Sequence, residues 1–146
     1  MDEATALELI RLADGDQIVS VTLADRVPAW EPGYYAADIV ITSSFVNAQL
    51  RILVTLEDLD HWAEALDRIE QDELRPAEGG MLTLDWPPAG NDGYLRFIAD
   101  DPYVVEVHDA PQTRISVSVP LDMGGAWIAE ARHRLGVVRG LLGPDA

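Results

Sequence analysis

The sequence predicts an α+β protein: a mainly antiparallel, twisted sheet of about eight strands with two helices packed on one face, in β4-α-β4-α order. Three observations carry that expectation. Period-2 alternation of apolar and polar residues runs through most of the 146-residue chain. Twice it gives way to helical spacing, over about 56–72 and about 124–141. A shift of 65 positions then lays "ILVTLEDLDHWAEA" over "VSVPLDMGGAWIAE", with Leu56 on Leu121 and Trp62 on Trp127. The echo organises residues 1–146 as a single domain with a pseudo-repeat, about 1–72 and 73–142.

The elements follow in order. "ALELIRLA" (6–13) and "QIVSVTLA" (17–24) flank Asp14-Gly15-Asp16, a hairpin turn signal. "YYAADIVIT" (34–42) and "VNAQLRILV" (46–54) flank a short Ser-rich turn. In the second of these, Val46, Ala48, Leu50, Ile52 and Val54 share one face, while Asn47, Gln49 and Arg51 take the other. Thr55 followed by Asp58 has the form of a capping box, with Asp in place of Glu or Gln. Leu59, Trp62, Leu66 and Ile69 then form the apolar stripe of the first helix. After a loop at "RPAEGG" (75–80) come "MLTLDW" (81–86), "GYLRFIA" (93–99), "YVVEVH" (103–108) and "TRISVSV" (113–119). The closing helix carries Trp127, Ala131, Leu135, Val138 and Leu142 on one stripe. The two Trp residues are core anchors, since one aromatic side chain removes about 150–250 Å² from water. With helices on one face, the other face of the sheet is expected to be polar, carrying Arg51, Asp85, Glu106, His108, Ser116 and Ser118 among others.

Composition narrows the function. Ten Arg and no Lys stand against 26 acidic residues, a formal net charge of −16. Counterion-release binding to phosphate backbones needs clustered cations, so no nucleic-acid partner is expected. Without cysteine, disulfides, thiolate nucleophiles and Cys-based zinc sites are excluded. The acidic start "MDEATALELI" lacks the pattern of a signal peptide, and no apolar run approaches membrane-spanning length; a cytoplasmic protein with no membrane partner is expected.

The chemical motifs are sparse. Glu57, Asp60 and Glu64 share a helix face, but diverging helical side chains make a poor metal cage, and acids near a helix N-terminus already match its dipole. Some of them could pair with the basic half of the second helix, at Arg132, Arg134 and Arg139. His61, His108 and His133 sit on separate elements with no metal-ligand spacing. In "VHDAP" (107–111), His108 and Asp109 are strand neighbours on opposite faces, so they form no dyad. "ITSSFV" lacks a nucleophile elbow, and "AEGGM" and "DMGGAW" lack the phosphate-loop patterns. No catalytic residue, cofactor or metal is expected, and the protein reads as a non-enzyme.

The loop "DRVPAWEPGYY" (25–35) sets Trp30, Tyr34 and Tyr35 among prolines, a composition suited to an interface at low entropy cost. With Glu57, Asp60 and Glu64 these are the candidate partner-binding residues, and a basic protein is the candidate partner. The alternative is a small-molecule or carbohydrate-binding domain using the polar sheet face or the Trp30/Tyr34/Tyr35 loop.

"ADIVITSSFVNAQLRILVTLEDLDHWAEALDRIE" (37–70) resembles a small family of uncharacterised bacterial proteins of high-GC Gram-positive genomes, with a strand near "ADIVVTSGFVNG" and then "LxxEDLDxWxxALDxL". The stretch "VSVPLDMGGAWIAEARHRL" follows the same plan, so the resemblance covers most of the chain and implies a fold without an activity. A looser similarity runs to immunity proteins of wall-associated contact-dependent toxins, which share a hairpin, then "LxxEDLxxFxxxL", further strands and a closing helix. Trp62 stands where that pattern has an aromatic, a core position; no toxin-contacting residue is implied.

Overall fold

The computed structural model describes residues 7–28, 34–71, 75–76, 82–88, 93–99, 103–109 and 113–142. The chain runs β1 (Leu7–Asp14), β2 (Gln17–Pro28), β3 (Tyr34–Thr42), β4 (Ala48–Thr55), α1 (Leu56–Glu70), β5 (Arg75–Pro76), β6 (Leu82–Trp86), β7 (Gly93–Ile98), β8 (Tyr103–Asp109), β9 (Ile115–Leu121) and α2 (Trp127–Leu142). The α+β class and the order of four strands and a helix, twice, are as the sequence predicts. The strands divide into two antiparallel ladders, β1-β2-β3-β4 and β5-β6-β7-β8-β9. The added strand, β5, is two residues of the expected loop, paired to β6.

Local chemistry sets the connections. Asp14 pairs with Gln17 across a turn in which Gly15 has φ +63°, a conformation that costs glycine little. Between β3 and β4, the Ser43 hydroxyl accepts from the amides of Phe45 (3.1 Å) and Val46 (2.8 Å). That turn absorbs Val46 and Asn47, so β4 starts two residues later than the alternation suggests. The capping box forms in full: Asp58 N donates to Thr55 Oγ1 (3.1 Å) and Thr55 N to Asp58 Oδ2 (2.9 Å). At the second junction Gly124 takes φ +78°, and α2 starts at Trp127 rather than near residue 124.

The two ladders and both helices close one core. Leu59, Trp62, Leu66 and Ile69 of α1 are buried as the spacing predicts, joined by Ala65. So are Ala131, Leu135, Val138 and Leu142 of α2, while Trp127 is half-buried at the helix start. Trp62 lies 5.7 Å, centroid to centroid, from both Trp86 and Phe97, and Trp127 stacks 6.4 Å from Phe97. The Trp86 indole donates to the Asp58 carbonyl (2.8 Å), joining β6 to the first turn of α1. A register shift between Glu8 and Ile10 turns both Leu9 and Ile10 inward.

Side by side, the ladders meet at two places. Gln17 Nε2 donates to the Pro120 carbonyl (3.0 Å) and Asp122 N to Asp14 Oδ2 (3.0 Å), joining the β1–β2 turn to the end of β9. At the start of β7, Gly93 lies so close to β4 that a Cβ there would fall 2.5 Å from Leu50 Cδ2. The absence of a side chain on Gly93 is what lets β4 and β7 approach.

Candidate functional site

The six candidate partner-binding residues divide. Trp30 lies outside the described residues. Tyr35 lies in the core, 9% exposed, because the alternation of β3 turns it inward with Ala37, Ile39 and Ile41. Tyr34 faces outward and pairs in register with Thr55, the N-cap of α1, so it stands where that helix leaves the sheet. Glu57, Asp60 and Glu64 are all exposed on α1.

Their charges are not equivalent. Asp60 is bonded to Arg139, and Arg132 reaches both Asp67 (2.8 Å) and Glu70 (2.6 Å). As the numbering rises along α1 it falls along α2, so these bridges clasp two antiparallel neighbours, the pairing expected from the sequence. Glu57 and Glu64 have no cationic partner among the described residues. Glu64 opens onto a cleft of about 300 Å³ between α1 and β6, lined also by His61, Arg68, Thr83 and Asp85. The Arg132 guanidinium holds the Glu70 carboxyl below its usual range, and Arg51 does the same to Asp38.

The outer face of the second ladder carries a ladder of polar side chains. Arg96 grips Asp85 through two bonds, 2.7 and 3.0 Å. That bond raises the guanidinium's already high pKa, and Tyr94 and Glu106 add to the shift by their charge. On β8, Glu106 accepts from Ser118 (3.1 Å) and bonds His108 Nε2 (2.9 Å). The His108 ring stacks on Tyr94, 4.7 Å away and 3° from parallel. His108 therefore faces outward with Glu106, and Asp109 inward with Val105 and Val107, as the "VHDAP" parity requires.

That inward Asp109 is the feature sequence reasoning passed over. It lines a second cleft, of about 210 Å³, between β3–β4 and β8–β9. The available signal was its parity in "YVVEVHD", which puts a carboxylate on the apolar face. Among the described residues, no group of three or more His, Asp or Glu stands close enough to hold a metal ion. No described helix is long and apolar enough to cross a membrane.

By fold and surface this is a two-ladder α+β protein with an acidic exterior and self-paired polar faces. The chain belongs to the family of unknown function DUF5959, which matches residues 7–142. No curated protein and no solved structure matches it.

Proposed function

We propose that the protein is a non-enzymatic binding protein, immunity-like in manner, that docks a basic protein partner through the surface at the start of α1. The observation that carries this reading is the imbalance of charge. Arg51, Arg96, Arg132 and Arg139 are each taken up by the chain's own acids. Acidic residues outnumber arginines 26 to ten, and among the described residues Glu57 and Glu64 of α1 have no cation beside them. Such a surface accelerates encounter with a cationic partner and rejects anionic ones. Tyr34, in register with the N-cap Thr55, supplies an exposed aromatic at the end of α1 that carries Glu57. The "LEDLDHW" likeness to immunity proteins supports the same reading at the level of fold.

The test is affinity capture from native-host lysate with wild-type protein and a Glu57→Gln/Glu64→Gln variant. The reading expects a basic protein retained at low salt, released as salt rises, and held weakly by the variant. Retention of no basic protein, or retention indifferent to salt and to both substitutions, would overturn it.

One observation favours a second reading, a carbohydrate or small-molecule site on the outer face of the second ladder. The Tyr94–His108 stack offers an aromatic surface flanked by Arg96, Glu106 and Ser116. Glycan-array binding lost on Tyr94→Ala would establish it, and an empty array would dismiss it.

A further inference from the structure

The cleft between β3–β4 and β8–β9 has mostly apolar walls, with Gln49, Thr113 and one carboxylate, Asp109, among them. Ile39, Ile41, Leu50, Val107 and Val117 supply most of its lining. Into this face projects Asp109, at the end of β8. Its register partners are Gly93 on β7 and Ile115 on β9. Gly93 contributes no side chain, and Ile115 is 63% exposed at the cleft mouth.

The turn that follows Asp109 ties up half of its carboxyl group. Thr113 Oγ1 donates to Oδ2 (2.9 Å) and itself accepts from the Ile115 amide (3.1 Å). Arg114 N donates to the Asp109 carbonyl (2.8 Å), with Arg114 held at φ 64°, a strained conformation for a residue with a side chain. Oδ1 is left closed off from water and, among the described residues, without a donor. A buried carboxylate oxygen in that state costs free energy that a donor would recover, and such groups concentrate where a ligand completes the bonding. The turn engages Oδ2, and because the terminal torsion of an aspartate is soft, a small rotation of the carboxyl brings Oδ1 to the cleft.

We propose that this cleft binds a small aliphatic primary amine, its ammonium donating to Asp109 Oδ1 and its hydrocarbon chain lying along Ile39, Leu50, Val107 and Val117. Size and charge choose this class. The volume exceeds the roughly 150 Å³ that accommodates benzene in an apolar protein cavity and falls short of the ~300–1,000 Å³ typical of drug-sized ligands. A chain of about five carbons with one charged end fits that interval. The chain's net charge of −16 favours a cation over a neutral donor and disfavours a carboxylate or phosphate. The site is independent of the α1 surface, so failure of either proposal leaves the other standing.

The probe is n-pentylammonium, titrated into the intact protein and followed by ¹H–¹⁵N NMR, with n-pentanol and pentanoate as matched controls. The expected result is saturable shifts confined to the amides around Leu50, Val107, Asp109 and Val117, with pentanol weaker by about tenfold or more and pentanoate silent. Asp109→Asn should weaken the ammonium by a similar factor while leaving pentanol unchanged. Ile115→Lys, at an exposed position, sets the chain's own ammonium beside Asp109 and should block the probe without disturbing the fold. Diffuse, non-saturating shifts overturn the proposal, as does equal binding of pentanol and pentylammonium. Tighter binding of Nα-acetyl-lysine amide than of pentylammonium also overturns it, by assigning the cleft to a partner's side chain.

Discussion

The two largest buried side chains differ in one hydrogen bond. Trp62 and Trp86 are both fully buried and in contact, yet Trp86 Nε1 donates to the Asp58 carbonyl while Trp62 Nε1 has no partner among the described residues. Replacing either with Phe removes similar volume, but only Trp86→Phe also removes a bond. Trp86→Phe should therefore be the more destabilising, by about 1 kcal/mol, because an unmade N–H is no loss at residue 62. Urea unfolding of the pair decides this, and an equal or reversed ranking refutes it. Gly93 makes a second residue-scale prediction. Gly93→Ala drives a methyl into Leu50 and should cost about 1–3 kcal/mol by overpacking. Leu50→Ala in the same chain should return part of that loss, a coupling that a double-mutant cycle would measure.

At the scale of elements, α1 is where sequence and structure agree most closely. Its cap, its stripe and its first-turn acids all derive from neighbours within four residues, and the capping box closes as drawn. Thr55→Ala should cost about 0.5–2 kcal/mol, seen as a lower urea midpoint with an unchanged slope. The bridges from α1 to α2 are exposed, so Arg132→Ala should cost under about 1 kcal/mol despite its two short bonds. What the period could not show was where β4 and α2 begin. Ser43 captured Val46 and Asn47 into a turn, and Gly124 delayed the second helix, both through side-chain and backbone choices that hydrophobic spacing does not record.

Over the whole molecule the charge sets the response to solution conditions. Like charges on a −16 surface repel in the compact state, and salt screens them, so the melting temperature should rise as sodium chloride is added from low ionic strength. A fall on adding salt would show that the paired bridges outweigh the repulsion. Acid acts through specific groups. Asp38 and Glu70 have folded-state pKa values below their usual 3.8 and 4.5, held there by Arg51 and Arg132. Depressed carboxyl groups add stability that is fully present above those usual values and is lost as pH falls through the lowered ones. The pH-unfolding curve should thus be flat in this contribution above about pH 5 and decline below pH 4. In Arg51→Gln/Arg132→Gln that decline should be shallower.

The sequence by itself determined the fold class, the two helical stripes, the first cap and the face on which nearly every strand residue lies, because these depend on periodicity and on contacts a few residues apart. It also determined the excess of carboxylates and hence the kind of partner proposed. The alternation of β3 likewise put Tyr35 on the core face and Tyr34 on the other, against the reading of both as partner contacts. Only the tertiary structure split the strands into two ladders, spent Asp60 on Arg139 and brought Asp109 to face Ile39 and Leu50. The last two join residues 59 to 79 positions apart, and such pairings are chosen by packing the whole chain around one core. Local spacing carries no record of them.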